Sequence, residues 1–300
     1  MTPDPEPLDV GVLRGVLLQP AGQFARVDLV RRTGSTNADL VAAVSSPASE
    51  LWPDLSMLCA EEQSSGRGRM DRVWNAPPGS SVIVSVLLRP NAHGRNLAPD
   101  ACAWMSMLAA LGLIDALDVA AGISAELKWP NDVLVAGRKV SGILAHLVPV
   151  NSGAGAGYGT AVVLGTGINV SQTSPQLPVS TATSLALQNA DTLDRNILLV
   201  AYMQRFAALY RSFCDGGGSP RLPLWEGKSL LQLVSARMAT LGCAVRVELP
   251  GGRMLHGEAI GLDAHGSLLV RDGAGSTHPV SAGDVVHLRR QQPDGTVAYA

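Results

Sequence analysis

The sequence predicts an α+β protein in which a larger α+β body is followed by a small all-β barrel. Up to about residue 228, apolar runs of strand length are interspersed with long helical patterns, which is typical of a sheet combined with helices. Beyond that point, short strand patterns follow one another closely, separated by turns rich in Gly, Asp and Pro. Such a run of about 60 residues is typical of a small barrel.

The individual elements follow from local patterns. Capping side chains at 33–37 (TGSTN) precede a helix over 38–44. The other elements of the body are strands at 55–60 and 81–88, a buried helix at 99–118, strands at 127–135 and 140–148 joined by a tight turn at 136–138, a glycine-rich hairpin tip at 151–159, a strand at 161–164 and an amphipathic helix at 193–213. The C-terminal strands are expected at 244–249, 254–262, 267–271 and 285–288, with turns at 250–252, 263–266 and 272–273.

Composition excludes several classes of function. A hydrophobic content of 46% over 300 residues is enough for a substantial core and argues against global disorder. A net charge of −2 argues against a general binder of nucleic acid or of anionic membranes. The longest apolar run, 101–114, is too short to span a bilayer. The acidic, proline-rich N-terminus has no targeting signal, and the four scattered cysteines read as buried thiols. We expect a cytoplasmic protein.

One loop, residues 61–74 (EEQSSGRGRMDRVW), carries an unusual density of positive charge. Arg67 and Arg69 alternate with glycine, and Arg72 follows closely. Backbone N–H groups and guanidinium forks in such a loop can converge on one anion, so the pattern favours recognition of phosphate or carboxylate. A solvated flexible loop and an RNA-binding segment are the alternatives, although the chain as a whole is acidic.

A second motif, Lys128-Trp129-Pro130-Asn131-Asp132, follows a predicted strand. The proline forces a turn, so Lys128 and Asp132 are held in a fixed relation at the strand end. The lysine is suited to hold a carboxylate and a phosphate together, and Asp132 to bind Mg²⁺ or orient a partner. Alternatively, Asp132 caps the turn and Trp129 fills the core.

A third motif, Gly165-Thr166-Gly167-Ile168-Asn169, follows an apolar strand. Its two glycines let a ligand approach the backbone, and Asn169 carries paired donor and acceptor groups suited to an adenine edge. It is not a dinucleotide-binding fingerprint, because Val170 stands where that pattern needs glycine. Alone, the motif is weak.

Five motifs occur together in one order: TGSTNADL at 33–40, the loop at 63–74, KWPNDVL at 128–134, KVSGIL at 139–144 and VLGTGINV at 163–170. This ordered set resembles the bacterial biotin protein ligases over about residues 33–170. The resemblance implies a mixed β-sheet catalytic domain flanked by helices, of the class II synthetase-like biotin/lipoate ligase fold, with an SH3-like C-terminal barrel. It implies an N-terminal tail and lead-in at 1–24, a catalytic domain at 25–228, the barrel at 229–292 and a tail at 293–300.

The resemblance also implies roles for individual residues. Those expected to bind biotin are Ser35, Thr36, Asn37, Gln63, Arg67, Gly68, Arg69, Lys128 and Gly142. Those expected around the nucleotide are Arg69, Arg72, Trp74, Asn131 and Asn169. Lys128, Arg67 and Arg69 would act in catalysis, with Lys128 contacting the biotin carboxylate and the α-phosphate. Lys139 is equally compatible with a surface role, and Asp71 departs from the family pattern by adding a carboxylate among three arginines.

The implied activity is an ATP-dependent ligation with Mg²⁺. Biotin is activated to biotinyl-5′-AMP and then transferred to a lysine of a biotin carboxyl carrier domain of an acyl-CoA carboxylase. Family members often carry an N-terminal DNA-binding domain, but only about 25 residues precede the body here. We therefore expect no DNA binding, no membrane association and a monomer. A lipoate or octanoate ligase is the nearest alternative, and a binding module or an RNA-binding protein are more distant ones.

Overall fold

The computed structural model describes residues 6–92, 95, 97–151, 158–249, 252–281, 287–291 and 297–298. Its centre is a seven-stranded sheet with the order β1-β2-β3-β7-β6-β5-β4. The first pair of strands is parallel and the others are antiparallel, so the sheet is mixed, as the resemblance implies. The strands are β1 (Arg26–Thr33), β2 (Ser56–Gln63), β3 (Ser81–Leu88), β4 (Glu126–Lys128), β5 (Asp132–Val135), β6 (Arg138–Asn151) and β7 (Tyr158–Asn169).

Helices cover both faces of this sheet. They are α1 (Val10–Leu17), α2 (Thr36–Ser45), α3 (Met105–Ala121), α4 (Arg195–Asp215) and α5 (Leu230–Ala236). Two of them, α3 and α4, pack together closely because Gly112 lacks a side chain: a Cβ there would lie 3.0 Å from the Cα of Phe206. On the opposite face, Leu40 and Val44 of α2 form a second core with apolar residues of the sheet.

Strand β3 shows why its sequence, SVIVSVLL, is apolar almost throughout. Its residues are all buried, because both faces of the sheet are covered along this strand. Val82, Val84 and Val86 belong to the core beneath α3 and α4. On the other face Leu87 packs with α2, whereas Ile83 and Ser85 line a cavity. The alternation of the strand therefore directs Ile83 and Ser85 to the cavity face, while the core residue Val84 also borders the cavity.

Most of the predicted elements of the body are confirmed, but one predicted strand is divided into two. The predicted strand at 127–135 is two strands, β4 and β5, which pair antiparallel with Lys128 opposite Asp132. Proline at 130 has no N–H and a fixed φ, so the chain turns there instead of continuing. The tight turn after β5 is confirmed, with Ala136 and Gly137 at φ 48° and 70°. Strands β6 and β7 pair as far as Asn151 opposite Tyr158, and residues 152–157 of the predicted hairpin tip lie outside the described residues.

Several elements were not predicted: α1, β1, α5 and a short pair of strands, β8 (Pro223–Trp225) and β9 (Lys228–Ser229). Strand β1 is an edge strand whose sequence, RVDLVRRT, is half charged, so it lacks a clear apolar alternation. Helix α5 spans only seven residues, too few for a periodic pattern to be recognised. It stands where the barrel was expected to begin.

The C-terminal part is an antiparallel six-stranded sheet with the order β13-β12-β11-β10-β14-β15. Its strands are β10 (Ala244–Glu248), β11 (Met254–Leu262), β12 (Leu268–Arg271), β13 (Thr277–Val280), β14 (His287–Gln291) and β15 (Val297–Ala298). Strand β13 was not predicted, and Val285 and Val286 of the last predicted strand lie outside the described residues. The closed SH3-like barrel stays a prediction, because pairing among the described strands leaves β13 and β15 at opposite edges.

The segment Pro99–Ala121 corrects the prediction that the apolar run at 101–114 is too short to span a bilayer. By length and composition it is one helix of 23 residues that is long and apolar enough to cross a membrane. It comprises a 3-10 turn, Pro99–Trp104, followed by α3. Most of it is buried inside the fold, against the sheet and α4, and the core helix of a globular protein meets the same criteria.

Two tryptophans join the body to the C-terminal sheet. Trp104 Nε1 donates to the carbonyl of Ala264 at 2.9 Å, and Trp129 Nε1 donates to the carbonyl of Gly266 at 3.0 Å. Both side chains are fully buried, and one continuous core includes residues of both parts. The hydrogen bond to Gly266 is buried, and a buried carbonyl that loses its donor is costly, so this contact above all couples the two parts energetically.

We therefore expect Trp129→Phe to lower the free energy of unfolding by about 1–3 kcal/mol, since it leaves the buried Gly266 carbonyl without its donor. Urea denaturation measures the change. Trp225→Phe is the matched control, because Trp225 is 39% exposed and stacks on Arg205 at the surface; a change of less than about 1 kcal/mol is expected there. Equal effects of the two substitutions would contradict this coupling.

Candidate functional site

A cavity of about 690 Å³ opens on the face of the sheet that carries α2. It is bounded by the start of α2, by strands β3, β6 and β7, by the arginine-rich loop within residues 61–74 (the arginine loop) and by the segment at 178–182. Twelve of the thirteen residues predicted for the site line it: Ser35, Thr36, Asn37, Gln63, Arg67, Gly68, Arg69, Arg72, Trp74, Asn131, Gly142 and Asn169. The structure therefore brings together motifs that are up to 134 positions apart, from Ser35 to Asn169.

Glycines form the floor of the cavity. Gly142 of β6 lies opposite Gly167 of β7 in the register of the sheet, and Gly165 lies two positions before Gly167. A Cβ on Gly167 would come within 2.4 Å of the Trp74 indole, and one on Gly165 within 2.4 Å of Asn37 Oδ1. The space therefore depends on the absence of side chains, and the Trp74 ring lies directly on the floor.

A chain of hydrogen bonds occupies one end of the cavity. Ser35 caps α2 by accepting from the amide of Ala38 at 3.4 Å. Gln63 Oε1 accepts from the backbone N–H and from the hydroxyl of Thr36, at 2.7 and 2.9 Å. The cap of α2 and the end of β2 are thus linked through side chains, and their remaining polar groups border the cavity. This end is suited to a compact polar ligand group with both donors and acceptors.

Ser85 and His146 extend this chain and were not predicted. Ser85 Oγ lies 2.6 Å from Asn37 Oδ1 and 2.7 Å from Thr36 Oγ1. Asn37 Nδ2 donates to the carbonyl of Leu144 at 3.1 Å and lies 3.3 Å from Nδ1 of His146. Partial burial lowers the pKa of His146, which favours the neutral ring whose Nδ1 can accept this bond. A serine inside the apolar strand SVIVSVLL is the signal that could have identified Ser85.

The arginine loop has an ordered backbone. Arg67 and Val73 form an antiparallel bridge, and the amide of Gly68 donates to the carbonyl of Arg72 at 2.7 Å. Met70 sits at the tip with φ 55°, in the left-handed region. The amide of Trp74 closes the loop by donating to Gly66 at 2.9 Å. The side chain of Asp71, the departure from the family pattern, lies outside the described part of the chain.

Arg69 and Asn131 connect the loop to the sheet. Arg69 Nη1 donates to Asn131 Oδ1 at 3.4 Å, and Asn131 Nδ2 donates to the carbonyl of Ile143 at 2.6 Å. Burial lowers the pKa of Arg69; Asp132 opposes this shift and Arg72 adds to it. A guanidinium remains charged at neutral pH even so. The loop therefore carries a partly desolvated cation at the edge of the cavity.

The two lysines near this edge differ in position. Lys139 lines the cavity, with Nζ 2.5 Å from Asp132 Oδ1 and 5.8 Å from the centroid of the Trp74 ring. Lys128, on β4, is 4% exposed and does not line the cavity. The structure thus brings Lys139 to the site, whereas the sequence analysis favoured Lys128 and treated Lys139 as equally compatible with the surface.

Asn169 lines the opposite part of the cavity and is 5% exposed. Its Nδ2 donates to the carbonyl of Thr183 at 2.9 Å. The segment at 178–182, which the sequence analysis missed, covers this side because it is attached to β6: the amide of Lys139 donates to the carbonyl of Thr181, and the amide of Thr183 to the carbonyl of Lys139. No periodic pattern marks this segment, so only tertiary pairing reveals it.

The described residues do not form a metal cage. Within the described ranges, no group of three or more His, Cys, Asp or Glu side chains is arranged to hold a metal ion. Asp132 is a carboxylate in the cavity, and it is paired with Lys139. The cavity thus combines a hydrogen-bonding end, a glycine floor and a cationic edge. Such an arrangement suits an elongated ligand with a polar head and an anionic tail.

Comparison with known proteins identifies the family. The Biotin/lipoate A/B protein ligase family matches residues 29–169, and the Biotin protein ligase C terminal domain matches residues 240–288. The chain is 36% identical to the biotin–[acetyl-CoA-carboxylase] ligase of Mycobacterium tuberculosis, over 94% of this chain and 97% of that protein. It is 34% identical to the enzyme of the same name from Paracoccus denitrificans, over 82% and 95% of the two chains.

Solved structures agree at the level of the fold. The biotin protein ligase of Aquifex aeolicus in complex with biotin and ATP superposes with a TM-score of 0.68, covering 89% of this chain and all of that chain at 24% identity. The mixed sheet flanked by helices is therefore the fold of the biotin protein ligases. Together, the matched residues and the near-complete coverage of relatives above 30% identity show that this chain belongs to the biotin protein ligase family.

Proposed function

We propose that this protein activates biotin with ATP and transfers it to a lysine of a biotin carboxyl carrier domain. In the first step a biotin carboxylate oxygen bonds to the α-phosphorus of ATP, the bond to the β-phosphate bridge breaks, and pyrophosphate leaves. In the second step the acceptor amine bonds to the biotinyl carbonyl carbon, the bond to AMP breaks, and the amine loses a proton to solvent. One observation carries the proposal: a single cavity joins a hydrogen-bonding end, a glycine floor and a cationic edge.

The hydrogen-bonding end suits the ureido ring of biotin. Ser35, Thr36, Asn37 and Gln63 present hydroxyl and amide groups there, and a ureido ring offers two N–H donors and one carbonyl acceptor. Lipoate and octanoate carry no such group, so they would leave buried polar side chains unpaired. This is the observation that favours biotin over the lipoate or octanoate alternative. Gly142 leaves room for the biotin tail beside the ring.

The cationic edge suits the phosphate. Arg67, Gly68 and Arg69 cover the biotinyl-adenylate, and Arg72, Trp74, Asn131 and Asn169 surround the nucleotide, with Asn169 at the adenine. Such groups stabilise charge that develops on the α-phosphate, and they are already held in position before the reaction. Arg69 is held by Asn131 in this way. Mg²⁺ enters with the triphosphate of the substrate, which requires few ligands from the protein.

Two lysines lie near the expected position of the carboxylate and the α-phosphate. Lys128 lies directly opposite Asp132 in the pairing of β4 with β5, so the two side chains share a face of the sheet, and Asp132 lines the cavity. The ammonium group of Lys139 lines the cavity between Asp132 and Trp74. We propose that Lys128 contacts the reacting groups, as the resemblance implies, and that Lys139 adds positive charge at the same edge.

The acceptor and the setting complete the proposal. The relatives from Mycobacterium tuberculosis and Paracoccus denitrificans are named as ligases acting on acetyl-CoA carboxylase, which supports a biotin carboxyl carrier domain as acceptor. The proposed domains are a tail and lead-in at 1–24, the catalytic domain at 25–228, an SH3-like barrel at 229–292 and a tail at 293–300. We propose a cytoplasmic enzyme without DNA or membrane as partners.

The activity is tested by supplying ATP with biotin, lipoate or octanoate and measuring pyrophosphate release, followed by transfer of labelled acid to a carrier domain. Pyrophosphate release with biotin alone, and label on the carrier lysine, is the expected result. Release with lipoate or octanoate at a similar rate would favour the alternative ligase, and release with none of the three acids would contradict ligase activity.

The two lysines can be separated by substitution. Lys128→Ala is expected to slow formation of biotinyl-5′-AMP by on the order of 10²- to 10³-fold, because it removes a preorganised positive charge beside the reacting groups. Lys139→Ala is expected to have a smaller effect, because its charge is already paired with Asp132, and Lys228→Ala, which changes the third lysine of the chain, is the exposed control. Single-turnover adenylate formation and unfolding midpoints are measured for all three variants. A folded Lys128→Ala variant that forms adenylate at the wild-type rate would contradict the assignment.

The contact of His146 with Asn37 predicts a pH dependence of biotin binding. Because burial lowers the pKa of His146, the ring is neutral at and above pH 7 and Nδ1 accepts from Asn37. As the pH falls through this lowered pKa, which lies below the ordinary value of 6.5, the protonated ring can no longer accept. Biotin affinity is then expected to fall by about 2- to 10-fold, as loss of one hydrogen bond predicts.

Titration calorimetry between about pH 5 and 8 measures this effect on biotin affinity. The His146→Gln variant keeps a neutral acceptor at every pH, so a flat profile is expected for it. A wild-type profile as flat as that of the variant would show that His146 has no influence on the ureido end.

A further inference from the structure

The amide of Asn169 is held from two sides. On one side Nδ2 donates to the backbone carbonyl of Thr183 at 2.9 Å. On the other side Oδ1 accepts from Nε2 of Gln172 at 3.1 Å. A carbonyl oxygen can only accept, so the nitrogen of Asn169 must face Thr183 and the oxygen must face Gln172. The orientation of this amide is therefore defined by its neighbours.

Gln172 stands behind Asn169, outside the lining of the cavity, and is 1% exposed. Its Nε2 has two acceptors, Asn169 Oδ1 and Ser81 Oγ, the second at 2.6 Å. Ser81 lies directly opposite Asn169 in the pairing of β3 with β7. The hydroxyl of Ser184 donates to the backbone carbonyl of Gln172 at 2.6 Å and thereby fixes the segment that carries it.

The cost of this arrangement indicates a purpose beyond packing. Gln172 Oε1 is buried and has no hydrogen-bond partner within the described part of the chain. An unpaired buried carbonyl oxygen destabilises a fold, and an apolar side chain of the same length would avoid that cost. What the glutamine adds over such a side chain is its pair of N–H donors, and both are directed at the Ser81 and Asn169 pair.

We propose that Gln172 is a positioning residue that sets the nucleotide specificity of the site through Asn169. The inference rests on the proposed function, in which Asn169 meets the base of ATP. Gln172 and Thr183 together use one acceptor position and one donor of the Asn169 amide, which leaves one N–H and one lone pair for a ligand. The same two contacts fix which side of the amide offers the N–H and which side offers the lone pair.

A fixed order of donor and acceptor discriminates between purines. The Watson–Crick edge of adenine presents an amino donor at position 6 beside an acceptor at N1. Hypoxanthine, the base of ITP, presents an acceptor at position 6 beside a donor at N1, so the order is reversed. An amide that cannot turn over pairs with one order and leaves buried groups unpaired with the other. Gln172 thus favours ATP over ITP without touching either nucleotide.

The experiment compares ATP with ITP in biotin-dependent pyrophosphate release. Gln172→Met keeps the length of the side chain and removes both donors, so the amide of Asn169 loses one of its two supports. The ratio of kcat/KM for ATP to that for ITP is expected to fall by about 2- to 10-fold, because one of the two hydrogen bonds that fix the amide is lost while the bond to the Thr183 carbonyl remains. Biotin affinity, measured by calorimetry, is expected to be unchanged, because the contacts of Thr36 and Asn37 are not altered.

A second variant tests the donor itself. In Gln172→Glu, an ionised carboxylate opposes Asn169 Oδ1, whereas a protonated carboxyl can donate as the amide does. The ratio for this variant is therefore expected to be lowest at high pH and to recover partly as the pH falls. Gln204→Met on α4 is the exposed control, with the same chemical change far from Asn169, and it is expected to keep the wild-type ratio.

The ratio separates positioning from a purely structural role. If Gln172 only stabilised the fold, Gln172→Met would lower the melting temperature and reduce kcat/KM for both nucleotides equally, and an unchanged ratio would overturn the inference. A wild-type protein that releases no pyrophosphate from either nucleotide with biotin would contradict the proposed function, and the inference with it. If the wild type is active but the ratio of kcat/KM for ATP to that for ITP is unchanged in the variants, the inference is contradicted and the proposed function is not.

Discussion

The site depends on one constraint: other groups must be able to approach the backbone of β6 and β7 closely. Gly142 lies opposite Gly167, and Gly165 precedes Gly167 in the same strand, so these positions present no side chains of their own. A Cβ on Gly167 or Gly165 would come within 2.4 Å of the Trp74 ring or of the Asn37 amide, so those side chains can lie directly on the backbone. The absence of side chains thus makes room for Trp74 and Asn37, and the rest of the cavity opens beside them.

Charge is the second requirement, because cations must be held at the cavity before an anion arrives. Lys139 is paired with Asp132, and Arg69 is linked to Asn131, which is itself bonded to the sheet. Burial lowers the pKa of Arg69, because the charged guanidinium is partly desolvated there. An arriving carboxylate or phosphate compensates for that desolvation. The same low-dielectric setting strengthens the interaction of these groups with a developing negative charge.

Some features of the site could be predicted from the sequence, and others could not. Residues within short motifs, such as Thr36 and Gln63, were predicted for the site because the ordered set of motifs resembles a known family, and both line the cavity. The presence of Lys139 in the cavity was not available from sequence, since it depends on the pairing of β5 with β6 and on a register shift between Val133 and Leu134. Strand direction after a turn and a bulge decides which face a side chain occupies. Ser85, His146 and the segment at 178–182 enter the site through long-range pairing, which no local pattern encodes.

The central claim is that the cavity over the glycine floor forms the binding space for biotinyl-5′-AMP. Its most direct test is the affinity of a non-hydrolysable analogue of biotinyl-5′-AMP, measured by calorimetry for the wild type and for Gly142→Val. A Cβ at Gly142 would meet the flexible end of Lys139 at 3.0 Å and the edge of the Trp74 ring at 3.3 Å, with no backbone atom among its nearest neighbours, so the variant is expected to fold; Gly261→Val, with open space around it, is the control. The account predicts binding by the wild type and the control, and a loss of at least about tenfold in Gly142→Val from overpacking of the floor. Equal affinity of all three proteins would contradict it.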